Sequence, residues 1–307
     1  VRVRIECPLN FLSQHEIDQI LKKQCATISD NDPEVVLVNP GTSKYLGWSH
    51  FRNYKNLKVV STPSTGTNHI DKVDLEKRGI KTTCLLEDRA SLEDIHASAE
   101  FTWIHIMNLV RKFTSAVSNV DEWRSESNEL HLRSNELYGK SIGIVGLGRI
   151  GSKIANYAKA FGLKVYFYDP YVENNNFTKL ECLDSISNCD IVSINCSLSN
   201  ETFEMITAGV WEDIKIGSFV VNTSRGEVVN ENHIVNLIKN RKIFYGTDVL
   251  SGEQEISKLM RSPILALSKT SDRVVITPHV AGATKESQTK AFVSSLRLAS
   301  NLGKFTK

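Results

Sequence analysis

The 307 residues carry 41 % hydrophobic and 23 % charged side chains, enough chain for two domains that each bury a core. A net charge of +2, with both signs mixed along the sequence, excludes the basic stripe of a nucleic-acid binder and the polybasic patch of a membrane-surface binder. No apolar run approaches the ~18 residues of a membrane span, and six scattered cysteines without a C-x-x-C pair point to a reducing cytoplasm.

The chain opens on Val1–Glu6, which alternates as a strand does and lacks the long apolar core of a signal peptide. Further strands are expected at Val35–Asn39, Leu57–Ser61 and Lys81–Cys84, with helical patterns such as Ser13–Gln24 and Lys72–Arg78 between them. That alternation predicts a small parallel sheet. The loop Thr62-Pro63-Ser64-Thr65-Gly66-Thr67-Asn68-His69 is small, polar and glycine-bearing, so its backbone N–H groups are able to converge on an anion. An ordinary turn with Asn68 or Asp71 capping the next helix fits the same spacing. His69 reads as a surface or packing histidine rather than a catalyst.

Ala90–Arg111 carries the pattern of one long helix, apolar enough to require more than one packing partner. Glu100 in it suits either a helix N-terminal end or a buried polar contact. Asn119–Glu136 is polar and charged, with Trp123 and Leu130 as its expected anchors, and reads as a connection over a surface.

Ser141–Val145 is a short apolar run that turns through Gly146, Gly148 and Gly151 into a helical pattern at Ile150, Ile154, Tyr157, Ala158 and Phe161. The first glycine permits the turn, the second clears the Cβ from a pyrophosphate, and the third lets helix and strand pack closely. The helix N-terminus then faces the phosphates. A second strand, Leu163–Tyr168, ends at Asp169, about twenty residues on, where a carboxylate suits the adenosine ribose hydroxyls. More strands follow at Asp190–Asn195, Ser218–Asn222, Ile243–Asp248 and Val274–Thr277, giving six in a doubly wound parallel sheet.

Ligands of such sheets lie beyond the carboxyl ends of the strands. Arg225, Glu253 and His279 each follow a different strand there. Each alone is weak and reads as an ordinary loop charge or packed side chain; the three together read as a site. Histidine suits proton transfer at an alcohol oxygen, a carboxylate beside it favours imidazolium, and arginine grips a substrate carboxylate. Cys182, Cys189 and Cys196 recur every seventh residue but fall in different elements, so no metal site is expected.

These motifs resemble the NAD-dependent D-isomer-specific 2-hydroxyacid dehydrogenases, the family of D-3-phosphoglycerate, glycerate and formate dehydrogenases. The likeness rests on Glu136-Leu137-Tyr138-Gly139-Lys140 before the glycine turn, Tyr168-Asp169-Pro170, Asn222-Thr223-Ser224-Arg225-Gly226 and Thr277-Pro278-His279-Val280-Ala281-Gly282-Ala283-Thr284. It implies two Rossmann-like domains: a nucleotide domain (97–283) inserted into a smaller, flavodoxin-like substrate domain (1–96 and 284–307). It implies Arg225 as substrate anchor, Glu253 as partner of the histidine and His279 as acid/base. It places Gly146, Gly148, Arg149, Ile150, Gly151, Asp169, Cys196, Ser197, Thr223, Ser224, Asp248, His279 and Gly282 at NAD, and the backbone of Thr65 and Gly66 at the substrate carboxylate. The implied partners are a small 2-hydroxy or 2-keto acid and a second copy, a homodimer through the nucleotide domain. Closure over the cleft would exclude water.

The sequence departs from the family at Asn195-Cys196-Ser197, where His-x-Pro is usual, and at Asn39-Pro40-Gly41-Thr42, which lacks the arginine of many phosphoglycerate enzymes, with Lys44 close by. Asn230-Glu231 replaces Asp-Glu, read as a changed helix cap, and no serine-sensing regulatory domain is expected. A different class shares this fold: an NAD(H)-sensing binding protein, corepressor-like, is able to keep the same trio. Oxidation of an inorganic anion such as phosphite would use it too.

Overall fold

Val35–Val38 is buried along its whole length, and a strand apolar on both faces needs a layer on each side. It is the middle strand (β3) of a five-stranded parallel sheet with β1 (Arg2–Glu6), β2 (Thr27–Ile28), β4 (Val59–Thr62) and β5 (Lys81–Cys84), in the order β2-β1-β3-β4-β5. This is the flavodoxin-like order. The computed structural model describes residues 1–39, 45–121, 123–211, 213–240 and 242–305. The departure at Pro40–Thr42 and Lys44 lies outside them.

The chain divides into two units, Val1–Ile95 with Ala283–Lys307, and His96–Gly282. In the first, alternate residues of β3 serve opposite layers. Val35 and Leu37 pack with Val3, Val59, Leu21, Phe292, Leu296 and Ala299, while Val36 and Val38 pack with Phe51, Val60, Ile70 and Leu75. The helix Gln14–Lys23, which supplies Leu21, starts at a capping box in which Ser13 Oγ accepts from Glu16 N and the Glu16 carboxylate accepts from Ser13 N at 2.7 Å. Phe292, Leu296 and Ala299 come from the helix Lys285–Phe305, so the last helix covers a sheet built from the first strands. Full burial of a large apolar side chain contributes about 1.5–3 kcal/mol, which makes this helix an integral layer.

The second unit holds seven parallel strands: β6 (Ser141–Val145), β7 (Lys164–Tyr168), β8 (Thr178–Lys179), β9 (Ile191–Ile194), β10 (Ser218–Asn222), β11 (Ile243–Thr247) and β12 (Val274–Ile276). Their order is β12-β11-β10-β9-β6-β7-β8. The sheet grows one way from β6 to β8 and the other way from β9 to β12, so the switch point lies between β6 and β9. The doubly wound architecture is the expected one. Its count is seven rather than six because Thr178–Lys179, two polar residues on the edge, pairs with β7 without any apolar pattern to announce it.

Two further expectations are corrected. The pattern Ala90–Arg111 is two helices, Arg89–Glu93 and Ala97–Arg111, because Ile95 packs with Leu85, Leu92 and Ala291 in the first unit before the chain enters the second. Trp123 and Leu130 do not anchor the connection: they are 78 % and 59 % exposed. Glu100 is exposed in the first turn of its helix, which suits the helix dipole and not a buried contact.

Candidate active site

The glycine turn lies at the switch point. Gly146 has φ +87°, and a Cβ there would stand 2.9 Å from Cys196 N, so the turn after β6 rests directly on the loop after β9. A Cβ on Gly151 would come within 2.1 Å of Gly146 O, which is the close helix-to-strand approach the third glycine permits. At Gly148 an added Cβ would meet nothing within 4 Å. That exposed glycine is the N-cap of the helix Arg149–Ala160, and no side chain caps it. Open space over uncapped helix N–H groups, with Arg149 and Ile150 next in the chain, fits a dinucleotide pyrophosphate.

Asp169, at the end of β7, accepts from Leu147 N and Tyr171 N, both at 2.9 Å. The carboxylate therefore ties the glycine turn to its neighbouring strand. Each oxygen has a second lone pair, so capacity remains for ribose hydroxyls. Burial pushes the half-buried Cys196 thiol up to about 12, so it stays protonated. Ser197 is exposed, and its carbonyl accepts from Thr202 Oγ1 at 2.7 Å.

The ends of β10, β11 and β12 are knitted together. Fully buried Asn222 donates to Arg225 O at 2.9 Å and accepts from Ser224 N and Oγ, which shapes the Thr223–Gly226 turn. Thr223 Oγ1 meets Thr102 Oγ1 at 2.5 Å. A Cβ on Gly226 would stand 2.1 Å from Leu250 C and 2.3 Å from Ser251 N, so the turn after β10 is pressed against the loop that carries Glu253. Glu227 accepts from Gly252 N, and Glu231 accepts from Ser251 N and Ser262 Oγ. Burial pushes the Glu231 carboxyl up against those two hydrogen bonds, with Glu227 and Glu253 adding to the rise. Asn230 caps the helix Glu231–Lys239, as the changed Asn-Glu pair suggested.

Glu253 accepts from Leu250 N at 3.0 Å and meets His279 Nδ1 through its other oxygen at 2.5 Å. His279 is half-exposed and has φ +53°, the left-handed region. The hydrogen bond to Glu253 raises its pKa above the ordinary histidine value; burial and the charge of Arg225 oppose the rise, and Asp248 adds to it. Arg225 gives one N–H to Ser224 O at 2.7 Å. Asp248, 1 % exposed, accepts from Thr277 Oγ1, Val280 N and Ala281 N. Gly282, exposed, ends this stretch. Arg225, Glu253 and His279 are thus brought together at one edge of the sheet.

Thr65 and Gly66 belong to the first unit, on the loop after β4, where Ser64 Oγ donates to Gly66 O at 2.6 Å. Asp71, not Asn68, caps the following helix through Asp74 N. His69 is buried, and burial pushes its pKa down to about 4, which makes it the packing histidine. Among the described residues no group of three or more His, Cys, Asp or Glu side chains is placed to hold a metal ion.

Of the supporting side chains, Glu227 and His105 carry no motif in the sequence, and Asn222, Glu231 and Thr277 stand in motifs that give them no supporting role. His105 had a signal: it is the one histidine in the apolar run Phe101–Val110, on the face of Thr102, Ile106 and Leu109. A buried imidazole there requires a polar partner.

Residues 103–281 match the family described as D-isomer specific 2-hydroxyacid dehydrogenase, NAD binding domain. The chain is 36 % identical over 243 residues to a glyoxylate reductase of Thermofilum pendens, covering 76 % of this chain and 68 % of that protein. It is 30 % identical over 292 residues to a D-3-phosphoglycerate dehydrogenase of Bacillus subtilis, covering 91 % of this chain and 52 % of the relative, so it spans about half that protein's length. The fold is shared with D-lactate dehydrogenase from Escherichia coli, with a TM-score of 0.81 at 22 % identity over 99 % of this chain and 97 % of that one. With a glycine turn at the switch point and 179 residues matched around it, the chain belongs to the D-isomer specific 2-hydroxyacid dehydrogenases, NAD-dependent oxidoreductases, and His96–Gly282 carries the family's NAD-binding domain.

Proposed function

We propose that the protein interconverts a D-2-hydroxy acid and its 2-keto acid, with Arg225, Glu253 and His279 as the reacting side chains. The observation that carries this reading is the 2.5 Å contact between His279 Nδ1 and Glu253 Oε1 at the carboxyl edge of the sheet. Glu253 accepts at Nδ1, which fixes the tautomer and leaves Nε2 to hold the proton exchanged with the substrate oxygen. The raised pKa keeps that proton available when a keto acid is reduced. A guanidinium has five N–H groups and a paired grip on a carboxylate uses two, so the bond from Arg225 to Ser224 O fixes the fork without exhausting it. NAD(H), held by Gly146–Gly151, Asp169, Cys196, Ser197, Thr223, Ser224, Asp248 and Gly282, would supply or accept the hydride.

In this reading His96–Gly282 is the nucleotide domain and Val1–Ile95 with Ala283–Lys307 the substrate domain, where the backbone at Thr65 and Gly66 receives the substrate carboxylate. The protein works as a homodimer. Ile104, Phe113, Val117, Val120, Trp123 and Leu130 are each more than half exposed within one stretch of the NAD-binding unit, apolar side chains suited to contact with a second copy. Six thiols without a disulfide fit a cytoplasmic enzyme. The test is NADH absorbance followed with a panel of 2-keto acids that includes glyoxylate, hydroxypyruvate and pyruvate. Oxidation with one of them is expected; flat traces throughout, with NADH still bound, would assign the protein to NAD(H) sensing instead.

A further inference from the structure

His105 is a titratable group that the proposed reaction leaves unused. It is 2 % exposed, on the inner face of the helix Ala97–Arg111, with Phe101 edge-on at 5.4 Å. Its Nε2 lies 2.9 Å from Thr277 Oγ1, and that hydroxyl lies 2.5 Å from Asp248 Oδ1. A hydroxyl has one hydrogen, and a carboxylate only accepts, so Thr277 donates to Asp248 and must accept from His105. His105 is therefore protonated at Nε2. Its Nδ1 is the lone-pair nitrogen, buried without a hydrogen-bond partner against Gly246, where a Cβ would approach it to 3.1 Å. A second proton on Nδ1 would find no acceptor, and burial pushes His105 toward the neutral form against the pull of Asp248.

The chain of donors ends on Asp248, which also accepts from the backbone around the acid/base histidine. Asp248 Oδ1 accepts from Val280 N at 3.0 Å, Oδ2 from Ala281 N at 2.8 Å, and Asp248 O from His279 N at 2.9 Å. These bonds hold the turn in which His279 takes its left-handed φ of +53°, a conformation that a side chain with a Cβ keeps only when its surroundings impose it.

We propose that His105 is a positioning residue for His279, acting through Thr277 and Asp248 to fix the turn from which the imidazole reaches Glu253. The proposal rests on the reading of His279 as the acid/base. His105 sets the hydrogen of Thr277, Thr277 fixes one oxygen of Asp248, and the Asp248 carboxylate holds the two amides that follow His279, while its backbone carbonyl holds that of His279. The groups that face His279 are Glu253, Arg225 and Asp248, and the group that faces His105 is Asp248. Loosening the turn separates His279 from Glu253 and removes the cause of its raised affinity for a proton.

The test compares His105→Leu, which removes the donor, with His105→Gln, whose amide nitrogen is as many bonds from the backbone as Nε2. The first readout is the ring titration of His279 by NMR in the full-length protein, which needs no substrate. The second is kcat, the KM for NADH and the pH profile of keto-acid reduction. His105→Leu is expected to move the His279 titration and the upper limb of the profile to lower pH. It is expected to lower kcat by about 10- to 100-fold, the effect of a small misplacement of a reacting group, with little change in the KM for NADH. His105→Gln is expected to restore both readouts toward wild type. An unmoved His279 titration in a folded His105→Leu protein would overturn the proposal, as would equal impairment of the two variants, which is the mark of a merely structural residue. If no keto acid is turned over by the wild type, the dehydrogenase reading fails, and the NMR titration still decides whether His105 positions His279.

Discussion

At the scale of single residues, the chemistry turns on where protons sit. His279 is charged to a higher pH than an ordinary histidine because Glu253 accepts at Nδ1. In the proposed reaction, reduction of a keto acid needs the imidazolium, so its rate is expected to hold at low pH and to fall as pH rises through the raised value. In Glu253→Gln that fall is expected at lower pH, and an unchanged pH–rate profile would remove the role. The same linkage acts on stability. The contribution of the pair is complete below the pKa of an unfolded histidine and is lost as pH rises through the folded value. Asp169 offers a second measurement. A carboxylate against a 2′-phosphate costs several kcal/mol, so Asp169→Ala is expected to narrow the NAD-over-NADP ratio of kcat/KM by about 10- to 100-fold. Because Asp169 also holds Leu147 N, some loss with NAD itself is expected. Arg225, Glu253 and His279 were legible because they follow strand ends. Their holders were not, since nothing in a sequence says that Asn222 will meet Ser224 and Arg225, or that Thr277 will stand between His105 and Asp248.

At the scale of elements, the loops bearing the site are shaped by close backbone contact. Gly226 is the tightest case, since an added Cβ would overlap the Leu250–Ser251 peptide. Gly226→Ala is expected to cost about 1–3 kcal/mol, as overpacking does, and to reduce kcat further than that loss of stability explains, because it separates Arg225 from Glu253. Urea unfolding alongside kcat, measured well below the unfolding midpoint, checks both. The central strands were legible from their continuous apolar runs. Two-residue edge strands such as Thr27–Ile28 and Thr178–Lys179 were not, because pairing there depends on a neighbour rather than on pattern. Asp94-Ile95-His96 contains no glycine or proline to mark the break between helices, so periodicity ran straight through it. The exposure of Trp123 has a related cause: size and apolarity do not say whether a side chain faces its own core or the outside.

At the scale of the whole molecule, the exposed apolar side chains between Ile104 and Leu130 are the proposed contacts for a second copy. The double variant Phe113→Asp with Val117→Asp is expected to convert a dimer into a species of half the mass by light scattering. A wild type that is already monomeric would overturn the proposed dimer. The order of the chain carries a different consequence. Val3, Val35, Leu37 and Val59 are made before His96–Gly282, yet Phe292, Leu296 and Ala299, which cover them, are made after it. At about 5–20 residues per second, translation of His96–Gly282 takes roughly 10–40 s. During that interval the sheet made before it waits with one wall missing. The larger unit, continuous in sequence, is able to complete its own core before the sheet made ahead of it receives its closing helix.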